Sequence, residues 1–186
     1  MHQFDHLEAQ EFPFLYALAL LDSPLSQNVM LELLLQRRES FGKAGEVPGV
    51  IAVRDQLAVL HEKHLVTPVS GKGYVLNEGL HMPIIAHLLA HSDIHAWISS
   101  IRVILNKREE YKHWKVHNAA FCRRELLFSC LINEIDGIGY WRHEFFEART
   151  GDKKVLAEQL FETEAGQQLF SQFSQVTQSV LLSDLF

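Results

Sequence analysis

Apolar positions recur along most of this chain at helical spacing, with one short stretch of a different period. Phe14, Leu15, Leu18 and Leu21 share one face of a predicted helix over residues 11–21, and Pro13 is tolerated in its first turn. Asp22-Ser23-Pro24 stops that helix. Ser26 then serves as N-cap for a second helix over 26–38, which turns Val29, Met30, Leu33 and Leu34 inward. Gly42, Gly45, Pro48 and Gly49 mark a loop. A third helix is predicted over 50–64, with Val53, Leu57, Leu60 and Leu65 as its buried stripe. Here the pattern changes. Residues 67–69 and 74–76 read as short strands, and Ser70-Gly71-Lys72-Gly73 is the tip between them. Gly71 and Gly73 supply the positive φ that a tight hairpin needs.

Beyond Asn77-Glu78-Gly79 the helical period returns and is not interrupted by another strand. Helices are expected over 82–91, 94–117, 118–136, 141–148 and 153–182, with Gly137, Gly139 and Gly151-Asp152 as turns. The last of these is long and amphipathic, striped by Leu156, Leu160, Leu169, Phe170, Phe173, Val176 and Val180. Gly166 is its soft spot, costing about 1 kcal/mol relative to Ala. The predicted architecture is therefore mostly α. Three helices and a two-stranded β-hairpin occupy residues 10–80, and an all-helical lobe occupies 81–186.

Composition narrows the class only modestly. A chain of 186 residues with 47% apolar and 22% charged side chains is an ordinary globular protein with a sizeable core. No apolar run approaches a membrane span, and Met1-His2-Gln3-Phe4-Asp5 lacks the basic start of a secretory signal, so a cytoplasmic location is expected. Cys122 and Cys130 on one helix lie about 12 Å apart, too far to bridge, and two free thiols fit a reducing compartment. The net charge of −6 weighs against nucleic acid. However, residues 1–35 and 155–186 hold no Lys or Arg, so the cations gather in 37–72 and 102–124, compatible with one basic face.

A helix followed by a glycine-tipped, lysine-bearing hairpin is the second half of a winged helix, a fold that most often binds DNA. On that reading Arg54 and Gln56 are base-reading candidates on the first turns of the third helix, since Arg forks onto guanine and Gln onto adenine. Lys43, Lys63 and Lys72 would neutralise phosphates, with Ser70 and Tyr74 beside them on the wing. The blander reading makes Arg54, Asp55, Glu62 and Lys63 a solvated helix face.

Residues 14–79 resemble the winged-helix transcriptional regulators, the PadR type most closely. Leu18-Ala19-Leu20-Leu21-Asp22-Ser23-Pro24-Leu25 is similar to that family's opening. Gly49 followed by Leu57, Leu60, Leu65 and Val66 is similar to its third helix, and Gly73-Tyr74-Val75-Leu76-Asn77-Glu78-Gly79 to its close. Ser26-Gln27 and Val53-Arg54 depart from the Gly-Tyr and Leu-Tyr usual there. The third helix and wing also resemble those of GntR-type regulators, whose longer spacing before this helix is missing. The resemblance implies a homodimeric DNA-binding regulator whose C-terminal helices dimerise and respond to a small hydrophobic or aromatic effector. Trp97 and Trp141 are candidates to line that pocket, although aromatic residues at helical spacing are usually core.

Other features add chemistry of lower specificity. His87 and His91 are spaced to share a metal across one helical turn, but no carboxylate or thiol stands at ligand spacing beside them. No metal or other cofactor is therefore assigned. The 102–124 segment interleaves seven Lys and Arg with Tyr111, Trp114 and Phe121, either a nucleic-acid stripe or a solvated helix face. No nucleophile elbow, phosphate loop or carboxylate pair is present, so no enzyme is expected. The function expected first is transcriptional regulation on double-stranded DNA, as a homodimer with recognition helices in successive major grooves. The alternative is a winged-helix protein-interaction module of a larger assembly with no direct DNA contact.

Overall fold

The computed structural model describes residues 4, 6–21, 23–39, 49–107, 119–148 and 155–185. Its first part follows the apolar pattern closely. Helix α1 (Phe12–Leu21) is buried along almost its whole length and is the central post of the N-terminal part. Helix α2 (Gln27–Arg37) starts at the expected cap, where Ser26 Oγ accepts from the Val29 N–H at 3.4 Å. It ends on Arg38 in the left-handed region, whose N–H reaches back to Leu34 and Leu35 carbonyls. Helix α3 (Val50–Glu62) buries Val53, Leu57 and Leu60, as predicted, against α2.

Strands β1 (Val66–Val69) and β2 (Gly73–Leu76) pair antiparallel, Val66 opposite Leu76 and Val69 opposite Gly73. A further pairing is not legible in the pattern. Leu25, in the turn before α2, exchanges both backbone hydrogen bonds with Tyr74, at 2.8 and 3.0 Å. Gly73 sits at φ +115°, and a Cβ there would stand 2.1 Å from the Leu25 carbonyl oxygen. Glycine is thus required both for the turn and for the approach of Leu25. Pro68, which has no N–H to donate, lies on β1, the outer strand.

Helices α4 (His81–His91), α5 (Ile94–Lys107), α6 (Ala119–Leu131) and α7 (Ile135–Ala148) follow. Three short helices close the chain: α8 (Leu156–Phe161), α9 (Glu164–Gln172) and α10 (Gln175–Leu182), with a final 3-10 turn at Ser183–Leu185. Helix α4 packs on α1, α5 on α2 and α9 on α4, so one apolar core runs through both parts. Arg102 of α5 bonds Glu125 of α6 at 2.9 Å and Glu134 before α7 at 3.3 Å, tying three elements together. Near the C-terminus Arg142 pairs with Asp184, whose carboxyl is raised above the ordinary range by burial.

Three expectations for the helical part are corrected. Gly137 and Gly139 lie inside α7, and the break falls earlier, at Asn133 in the left-handed region. Gly137 serves close packing, since a Cβ there would meet Ser129 Oγ at 2.5 Å. The single helix over 153–182 is three helices. Thr163 caps Gly166 N–H at 3.0 Å and Ser174 caps Thr177 N–H at 3.2 Å, two N-cap signals that outcompete the apolar stripe. Gly166 is no soft spot, because a Cβ would lie 2.2 Å from the Leu160 carbonyl oxygen where α8 and α9 meet. The helix predicted over 94–117 is described to Lys107, and Trp114 and its neighbours lie outside the described residues.

Candidate functional site

The surface built by α3 and the hairpin is held by three internal joints. His61 Nδ1 lies 3.0 Å from the Val66 carbonyl, clamping the end of α3 to β1, and Asn77 Nδ2, just past β2, donates at 2.7 Å to the carbonyl of His64 in the turn after α3. Lys63 Nζ meets both carboxylate oxygens of Glu11, at 2.7 and 2.8 Å, and Glu11 is only 1% exposed. The Glu8 N–H donates to the same carboxylate at 2.7 Å. This pair fastens α3 to the start of α1.

The predicted contact residues fare differently. Arg54 points into solvent, but its guanidinium is hydrogen-bonded to the neighbouring Asp55 at 3.1–3.2 Å. Gln56 is half-buried beside it. Ser70 and Lys72 are exposed at the hairpin tip, where the Lys72 N–H closes the turn on the Val69 carbonyl. Tyr74 is half-buried and packs on the core. Lys63, assigned to phosphate, is committed to Glu11 instead. Lys43 lies outside the described residues.

What sequence reasoning missed is the outer face of α3. Ile51 is 68% exposed, and Val50 and Val59 are exposed with it. Arg54, Asp55, Ala58 and Glu62 are exposed on the same face. The signal was present as apolar residues lying off the Val53/Leu57/Leu60 stripe. Through residue 80 the chain carries ten Asp and Glu against six Lys and Arg. The outer face of α3 itself carries Asp55 and Glu62 against Arg54, beside its exposed aliphatic residues.

The remaining candidates are not gathered into one site. Trp97 is fully buried, its Nε1–H 3.3 Å from Ser92 Oγ and the Arg37 guanidinium 5.1 Å above its ring. Trp141 lines a separate cleft of about 340 Å³ with Phe121, Arg102 and Glu125. A larger cleft of about 440 Å³ lies where the hairpin base, α1, α4, α6 and α8 meet, and neither tryptophan lines it. Arg102 and Arg124, the ends of the basic segment, both bond Glu125. The rings of His87 and His91 stack in parallel 4.2 Å apart, so their in-plane lone pairs do not converge on one ion. Among the described residues no group of three His, Cys, Asp or Glu is arranged to hold a metal. Cys122 and Cys130 are free and buried, and burial pushes the Cys130 thiol up to about 12, which suppresses its thiolate. No described helix is long and apolar enough to cross a membrane.

Compared with models of protein families, with curated proteins and with solved structures, the chain finds no match.

Proposed function

We propose that the N-terminal part is a winged helix used as a protein-interaction module, with α3 as its contact helix. The observation that carries this reading is the outer face of α3. It offers Ile51, Val50 and Val59 to solvent, flanked by the Arg54–Asp55 ion pair and Glu62, while Lys63 is sequestered by Glu11. Desolvating aliphatic side chains against a partner is favourable by roughly 25 cal/mol per Å², whereas phosphates would meet Glu62 and an Arg54 whose charge is offset by Asp55. The excess of carboxylates through residue 80 points the same way. A partner presenting apolar side chains rimmed by Lys or Arg would fit.

Direct DNA binding is the second reading, favoured by the exposed Lys72 at the wing tip and by Arg54 and Gln56 on the first turns of α3. Two measurements separate them. In a polarisation titration with random duplex DNA at low salt, the interaction module shows no binding at the roughly micromolar to 100 μM level of ordinary non-specific complexes. A photocrosslinking residue at position 51, expressed in the native host, gives a discrete nuclease-resistant protein adduct, and the same residue at exposed position 147 gives none. Micromolar DNA binding that weakens steeply with salt, and loses slope in Lys72→Ala, overturns the proposal in favour of DNA.

A further inference from the structure

We propose that one outer edge of α7 is a self-association surface, on which a second copy of this chain packs antiparallel with Phe146 of each copy over Gly139 of the other. Helix α7 turns Ile138, Phe145 and Ala148 into the molecule. On another side Ile135, Gly139, Arg142 and Phe146 follow at intervals of four, three and four residues, the spacing that keeps side chains on one helix edge. Ile135 is 48% exposed and Phe146 38%. Arg142 does not make this edge cationic. Its guanidinium bonds Asp184 and, at 3.2 Å, Ser183 Oγ, and lies 5.5 Å from the centre of the Phe146 ring. The closing turn that holds it adds the exposed Leu185, next to Asp184.

Gly139 is the residue that a single copy leaves unexplained. Glycine inside a helix weakens it relative to alanine. Gly137 and Gly166 admit close neighbours, whereas a Cβ on Gly139 would meet nothing within 4 Å among the described residues. What this glycine leaves is a notch in the helix surface, seven residues from the exposed ring of Phe146 and therefore two turns along the same edge. A knob and a notch on one edge are complementary to a copy of themselves. A two-fold axis crossing between Arg142 and His143 makes the two helices antiparallel and sets Phe146 opposite Gly139 twice over. A parallel pairing would instead crowd Phe146 on Phe146 and leave a void at Gly139 on Gly139.

The same arrangement places the rest of the helix. Ile135 packs beside the incoming Phe146, and near the axis the exposed His143 of each copy faces its counterpart. Tyr140 and Glu147 lie round the helix from this edge and stay in solvent. At 14 residues α7 is about 21 Å long. Even with Leu185, the contact is smaller than the roughly 1,600 Å² of a standard interface, so a dissociation constant on the order of 10–100 μM is expected. The contact uses neither α3 nor the hairpin and does not depend on the role given to them.

Sedimentation equilibrium of the full chain from about 5 to about 500 μM tests this, and a monomer–dimer equilibrium is expected within that range. Gly139→Gln fills the notch from a position with open space around it. It is expected to raise the urea midpoint, because Gln is the better helix former, and yet to weaken association roughly tenfold or more. Phe146→Ser weakens association likewise, and Gly139→Gln carries the test should Phe146→Ser not fold. Under mild oxidation His143→Cys forms a disulfide between copies. Glu147→Cys does not, because antiparallel helices hold its two copies about 13 Å apart along the axis. Cys122 and Cys130 are buried and do not compete. A chain that stays monomeric throughout overturns the proposal. So does a dimer undiminished by Gly139→Gln, or a Glu147→Cys disulfide that forms as readily as that of His143→Cys.

Discussion

Gly73 shows how one residue joins two levels of structure. Its positive φ was evident from the hairpin tip, and its neighbour Gly71 shares that property at φ +70° with open space where a Cβ would go. The two are not equivalent. Gly71→Ala meets only the left-handed backbone penalty, about 1 kcal/mol, whereas Gly73→Ala also drives a methyl into the Leu25 carbonyl and costs about 3 kcal/mol or more. Urea unfolding of the two variants side by side checks the ranking, and equal losses would remove the Leu25 pairing as the reason. Lys63 makes the opposite point. As a letter in the sequence it is a cation near a wing, and only the position of Glu11, far away in the chain, decides that its charge is spent inside the molecule.

Among the elements, those up to β2 were legible because strong local signals agree with packing. Ser26, Gly71, Gly73 and the Val53/Leu57/Leu60 stripe each specify what the tertiary structure also wants. The C-terminal helices were harder. Their apolar stripe continues through Thr163 and Ser174, and periodicity alone cannot sense a break that keeps the buried face in phase. The caps have measurable weight. Thr163→Ala removes the bond to the Gly166 N–H and should cost about 1 kcal/mol, while Thr163→Ser should cost much less. Thermal or urea unfolding of the pair checks this, and equal losses would point to the Thr163 methyl instead of its hydroxyl.

For the whole molecule, the shared core has a consequence for cooperativity. Ile85 of α4 is 1% exposed, in a helix that packs on α1, and Ile85→Ala should destabilise by about 3 kcal/mol. Because the apolar cluster is continuous, amides of α1 and α6 should lose protection together under conditions of global exchange. Loss confined to one part would show two independently stable units. The candidate interface also belongs to this scale. Net charge predicted a reluctance to bind nucleic acid, but whether a basic face survives within an acidic chain depends on which cations are paired. Arg54 with Asp55, Lys63 with Glu11, and Arg102 and Arg124 with Glu125 are pairings that no spacing rule announces.

By itself the amino-acid order determined the helical class, the hairpin, its register-setting glycines and the buried stripe of α3, because each rests on periods and turn chemistry confined to a few neighbouring residues. Only the tertiary structure decided that Leu25 joins the hairpin, that Gly137 and Gly166 serve close approach instead of turning, and that α3 faces solvent with Ile51. Those outcomes depend on contacts between residues distant in the chain, and local patterns carry no record of which surface remains after such contacts are made.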